Sequence, residues 1–237
     1  MLDNLKYEEI LERLKSLSDP KAVEGRERFG IIAKNTYGVS IPELRKIAKE
    51  VGRDHFLAQK LWSSEIHDAL LLACMIDDSR MVTEEQMESW VKEFYSWDIC
   101  DQCCSNLFDK TKFAYKKVVE WSSREEEYAK RAGFVLMATL AVHDKAANNE
   151  TFISFLPIIK RESTDDRNYV RKAVNWALRQ IGKRNEFLFA KAIETAEEIQ
   201  KIKKSKSALW IANDALRELT SRKIRRRIDA VSKKKEK

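Results

Sequence analysis

A chain of 237 residues, 43% of them hydrophobic, is long enough to bury a sizeable core, and only 3 prolines and 6 glycines exclude a low-complexity or collagen-like chain. The formal charge is +7, yet residues 217–237 hold ten Lys/Arg against three Asp/Glu, so residues 1–216 carry 35 of each sign and are formally neutral. Net charge alone therefore cannot argue for a polyanionic partner; only a local patch on the body could.

The chain starts MLDNLKYEEILERL, amphipathic and without the basic-then-apolar layout of a secretory signal. Leu5, Ile10, Leu11, Leu14 and Leu17 recur at helical spacing, which predicts a helix over 2–17, stopped at Asp19-Pro20. A second helix is expected over 21–34. The turn Tyr37-Gly38-Val39-Ser40-Ile41-Pro42-Glu43 then offers Ser40 as N-cap, with Pro42 in the first turn of a helix running through Glu50 to Gly52. Helix resumes near Asp54. Residues 69–76 are apolar nearly all round and predict an inner helix. Thr83-Glu84-Glu85-Gln86 reads as a capping box opening the next one. Ser96 is placed to cap a helix over 96–109, and further helices are expected over 113–121, 125–142, 151–160, 165–181, 185–202 and 207–219. No strand alternation occurs and no apolar run of about 18 residues, so the expected fold class is all-α without a membrane span.

Inner helices recur. Segments beginning at Arg131, Arg171 and Ala208 are alike and separated by 40 and 37 residues, the period of HEAT- or armadillo-type helix pairs. A single solenoid domain over 1–219 with a concave groove is expected, followed by a basic tail over 220–237. That tail reads either as a frayed, solubilising end or as an arm that attracts phosphates by counterion release.

On the 96–109 helix the core stripe runs through Cys100, Cys103, Cys104 and Leu107. The cysteines are read as packing and not as a CxxC metal or redox site, because only the distant Cys74 remains to complete a second pair. No metal and no cofactor are expected, and four cysteines in a chain this long predict a reduced, cytoplasmic protein. Trp97 and Asp101, one helical turn apart, flank that stripe, with Asp98 and Ser105 beside them. Arg131 opens an otherwise apolar helix. Trp176 points away from the stripe Val170, Val174, Ala177, Leu178, Ile181, towards Lys172 and Arg179, a composition suited to a nucleic-acid surface. Trp62, Trp90, Trp121 and Trp210 sit among apolar neighbours and are expected in the core. His55, His67 and His143 are scattered, with no nucleophile–base spacing around them.

The segments Ser96-Trp97-Asp98-Ile99-Cys100-Asp101, Arg131-Ala132 and Ala173-Val174-Asn175-Trp176-Ala177-Leu178-Arg179, together with Gly38-Val39-Ser40-Ile41-Pro42-Glu43-Leu44-Arg45, resemble the AlkD-like DNA alkylation-repair glycosylases over roughly 22–217. The resemblance implies a HEAT-like solenoid acting on double-stranded DNA containing N3- or N7-alkylated purines, without a base-flipping pocket; a solenoid that embraces duplex needs no partner, so a monomer is expected. It assigns a catalytic aspartate to Asp101, groove tryptophans to Trp97 and Trp176, and a phosphate-binding arginine to Arg131. Lys172, Arg179 and Arg45 are expected to contact the DNA backbone. The chain departs from the family at Phe29, where a tyrosine is usual, and at Leu44, where an arginine is. A related subgroup binds branched DNA without excising bases, so a non-catalytic binder is the alternative.

Overall fold

The computed structural model describes residues 2–33 and 35–235, with side chains from Lys6 to Ile228 apart from Lys34. Those residues form fifteen α-helices and one 3-10 turn. The chain divides into two compact units, residues 1–113 and 114–237, within the span expected as one domain.

The first unit contains α1 (Leu2–Ser16), α2 (Pro20–Arg28), α3 (Ile41–Val51), α4 (His55–Trp62), α5 (His67–Ile76), α6 (Glu84–Lys92) and α7 (Trp97–Asn106). Helix α5 is the inner helix its composition predicts: every residue from His67 to Ile76 is buried, and α1, α3, α4 and α7 pack around it. Burying a helix on all sides requires apolar character all round, and the only polar residues of α5 lie at its N-terminus. Trp62 stacks on Trp90 with ring centroids 3.9 Å apart.

Caps follow the sequence with two differences. Ser40 accepts from the Glu43 N–H and Thr83 from the Gln86 N–H, as expected. The capping box is only half made, because the Gln86 side chain donates to Asp77 at 2.7 Å. Ser96 takes the N-cap position of α7 without capping it; its hydroxyl donates to Asp98 instead, at 2.5 Å. The helix expected over 21–34 ends at Arg28, and among the described residues 29–40 are irregular. Gly38, at φ +80°, brings that segment so close to Asp19 that a Cβ would stand 2.5 Å from its carbonyl oxygen.

The second unit contains α8 (Ala114–Ser122), α9 (Glu127–His143), α10 (Asn149–Ile153), α11 (Leu156–Glu162), α12 (Asn168–Gly182), α13 (Glu186–Gln200), α14 (Lys206–Leu219) and α15 (Arg222–Lys235). The helix expected over 151–160 is two helices, the second with Pro157 in its first turn, where a missing N–H costs nothing. Helices α9, α12 and α14 pack in series, each accompanied by an outer helix. That is the serial stacking the 40- and 37-residue spacings imply. Side chains tie one inner helix to the backbone of the next: Arg131 Nη1 donates to the Tyr169 carbonyl at 2.6 Å, and Asn175 Nδ2 to that of Ile211 at 3.1 Å. Gly133 lets α9 approach the end of α8; a Cβ there would meet the Ser122 nitrogen at 2.5 Å. The stretch expected as a basic tail is helical from Arg222 to Lys235, because Ile224 and Ile228, four residues apart, are both buried. Among the described residues no helix is long and apolar enough to cross a membrane.

Candidate nucleic-acid interface

Helix α7 sorts its residues by face. Cys100, Cys103, Cys104 and Leu107 are fully buried, which makes them the packing stripe, and among the described residues no group of His, Cys, Asp or Glu is disposed to hold a metal ion. Trp97, Asp101 and Ser105, at successive four-residue intervals, are all half-buried and so lie at the edge of the packed core. The Trp97 indole N–H donates to the Phe29 carbonyl at 3.0 Å. That bond fixes the ring's in-plane orientation from its polar edge and leaves its faces unused by hydrogen bonding.

Asp98, expected beside Trp97 on the flank, is buried instead and performs a different task. Its carboxylate accepts from His67 Nε2 at 2.8 Å, from the Ser96 hydroxyl, and from the Ile99 N–H at 3.0 Å. Burial by itself pushes this carboxyl up; the bonds from His67, Ser96 and Ile99 outweigh it and hold the group below the ordinary carboxylate range. His67 Nδ1 lies 2.9 Å from the Tyr95 hydroxyl. Burial, then the charges of Asp98 and Asp68, push that phenol up to about 12, so it remains a donor. The arrangement is satisfied by the imidazole tautomer protonated on Nε2. The N-terminal turn of α7, with Trp97 and Asp101, is thereby bolted to the N-terminus of the buried helix α5.

The neighbouring Asp68 bolts the chain on the other side. It is fully buried and accepts from Arg26, from the Thr36 hydroxyl at 2.8 Å, and from the backbone N–H groups of Tyr37 and Val39. The tasks of both acids are hidden in the sequence, where each stands one residue from something more conspicuous. The signal available is His67-Asp68 at the start of an otherwise apolar helix, where buried polar groups require partners. Arg45 is exposed on α3 and lines a shallow depression with Lys49, Arg53 and Asn106, at the C-terminal end of α7 and not the end that carries Trp97.

In the second unit Arg131 is 6% exposed, and its bond to Tyr169 orients the guanidinium between α9 and α12. Trp176 is half-buried on α12, off a stripe of fully buried residues that includes Ala173, Val174, Ala177 and Leu178. One turn before it Lys172 is exposed; one turn after it Arg179 pairs with Glu218 and approaches Asp214 of α14. Lys183 pairs with the same Glu218. Burial pushes the Glu218 carboxyl up, and these two cations more than reverse it.

Trp62, Trp90 and Trp121 are core, as expected, but Trp210 is not: it is 37% exposed on α14, and the Arg171 guanidinium lies over it, 5.2 Å from the ring centroid. Trp210 precedes Ile211 of the buried stripe by one residue, and about 100° per residue carries it off the core face. Like Trp176, it is an aromatic standing off its stripe beside a cation.

A family model described as DNA alkylation repair enzyme matches residues 10–219. An uncharacterized protein of Listeria innocua serovar 6a is 23% identical over 201 residues, covering 83% of this chain and 87% of its own. An uncharacterized protein of Listeria monocytogenes serovar 1/2a is 22% identical over the same shares. A solved structure described as a new family of proteins related to the HEAT-like repeat DNA glycosylases, with affinity for branched DNA structures, superposes with a TM-score of 0.72 at 20% identity. The match covers 81% of this chain and 82% of that one. The fold is accordingly all-α and HEAT-like.

Proposed function

We propose that this chain, which belongs to the DNA alkylation repair enzyme family, hydrolyses the N-glycosidic bond of cationic N3- or N7-alkylated purines in duplex DNA. The observation that carries the reading is the pairing of an indole and a carboxylate, Trp97 and Asp101, one turn apart at the edge of a helix anchored by buried Asp98 and His67. Alkylation at N3 or N7 makes the purine a cation and a good leaving group. When the bond from C1′ breaks, its electron pair neutralises the departing base and positive charge moves to the sugar.

Asp101 stabilises that oxocarbenium charge and orients the water that adds to C1′, taking up the proton it sheds. The face of Trp97 attracts the same developing charge through its ring quadrupole, and Trp176 binds the DNA. Arg131 holds a phosphate, and Lys172 and Arg45 likewise contact the backbone without reading sequence. Arg179 joins them to the extent that Glu218 releases it. Because the lesion supplies its own charge, no enclosing base pocket is needed, and the protein acts as a monomer.

Incubation with duplex DNA carrying N7-methylguanine tests the reading by release of free base. Asp101→Asn is expected to abolish release while affinity for the duplex survives; a variant as active as the parent would remove Asp101 from the mechanism. A second reading, a binder of branched DNA without excision, is favoured by the affinity described for the structural relative. It predicts no free base and tighter binding to a four-way junction than to duplex. An acid at the surface has no use in gripping phosphates, which is why excision is preferred.

A further inference from the structure

The family model ends at residue 219, and α15 begins at Arg222. This helix carries eight Lys/Arg and one Asp between Arg222 and Lys235, beside a body, residues 1–216, that is formally neutral. A chain that must find a polyanion has its whole excess of charge in and around one appended helix.

The packing of α15 decides which way that charge faces. Helix α15 lies against α13 and α14. Ile224 and Ile228 are buried there, and the Arg225 guanidinium sits 4.8 Å from the Phe189 ring centroid and 3.8 Å from a Glu186 carboxylate oxygen. These three residues hold one side of the helix to the protein. At about 100° per residue, Arg222, Lys223, Arg226 and Arg227 fall together on less than half of the circumference, opposite the two isoleucines. All four are exposed, and none is in an ion pair with a described side chain.

We infer that this face of α15 is an auxiliary binding site for the phosphodiester backbone of duplex DNA, lying outside the matched family domain and indifferent to sequence and to lesion. The inference rests on the reading that the chain works on duplex DNA. A row of exposed cations releases condensed counterions when it meets phosphates, which supplies affinity without base contacts and permits sliding along the duplex. A basic amphipathic helix can instead lie in a membrane surface, but that mode inserts its apolar face. Here Ile224 and Ile228 of that face are already buried against α13 and α14.

The test compares the full chain with Lys223→Gln/Arg226→Gln/Arg227→Gln, which keeps Ile224, Ile228 and Arg225 and so preserves the seat of the helix. Affinity for a short undamaged duplex is measured across a series of salt concentrations. The slope of log affinity against log salt is expected to shrink by about 0.9 for each phosphate that the variant no longer neutralises, with base release from N7-methylguanine DNA unchanged at saturating protein. Equal slopes and affinities in parent and variant would overturn the inference and leave the helix a solvated face. So would a variant that loses binding to phosphatidylserine vesicles with its duplex slope unaltered. If the parent releases no base and the variant still flattens the slope, the inference stands and the excision reading fails.

Discussion

His67 Nε2 lies 2.8 Å from Asp98 Oδ2, joining the start of the fully buried helix α5 to the first turn of α7, which bears Trp97 and Asp101. Removing either partner strands the other in a buried site. A hydrogen bond to a charged group contributes about 1.5–3 kcal/mol, so His67→Ala and Asp98→Asn are each expected to lower the urea midpoint. Base release should fall further than the folded fraction explains, because Trp97 and Asp101 lose their support. Variants that lose stability but release base at the parental rate per folded molecule would separate the pair from the site.

Acid should act through the same carboxylate. The folded protein holds Asp98 below the ordinary range, so in that range the unfolded chain binds more protons than the native state. The stability Asp98 contributes is therefore complete above the unfolded value of about 3.9 and is lost as pH falls through the lower folded value. Urea midpoints measured from about pH 6 down to about pH 3 should decline in the parent and decline less steeply in Asp98→Asn. A parallel decline would mean that other carboxylates govern the acid limb.

Trp97→Phe keeps a smaller aromatic face and deletes the N–H that reaches the Phe29 carbonyl. The hydrogen bond is worth about 0.5–1.5 kcal/mol, and the variant should retain most of its base release. Trp97→Ala removes the ring and should lose much more. Equal losses would show that the bond to Phe29, and not the quadrupole of the ring, is what the site requires.

Glu218 pairs with both Arg179 and Lys183. Glu218→Gln removes a negative charge from beside both cations and leaves Arg179 only the more distant Asp214, so duplex affinity should rise and its salt dependence steepen. Binding that stays unchanged would place Arg179 away from the DNA.

Gly133→Ala should be poorly tolerated, because the new methyl would meet the Ser122 backbone at 2.5 Å and not a side chain able to move aside. Overpacking of this kind costs about 1–3 kcal/mol. A thermal midpoint within error of the parent would mean that α8 and α9 slide apart freely.

Helical periodicity, proline placement and polar caps make the all-α class, the inner helix α5 and the serial α9, α12, α14 stack legible in the chain alone, because each depends on neighbours three or four residues away. The cysteine stripe of α7 and the off-stripe position of Trp176 are legible for the same reason. Trp210 reads as core although its register is there to be counted, because an aromatic among apolar letters looks buried until its face is worked out. The pairing of His67 with Asp98 is not legible. Those residues are 31 apart, and nothing in either local segment states which buried donor will meet which buried acceptor. Only the packing of α7 on α5 decides it, since a polar group removed from water must find whatever partner the approaching helix brings. The same holds for α15: its charge is plain in the letters, but the direction in which that charge faces is set by two isoleucines finding a seat.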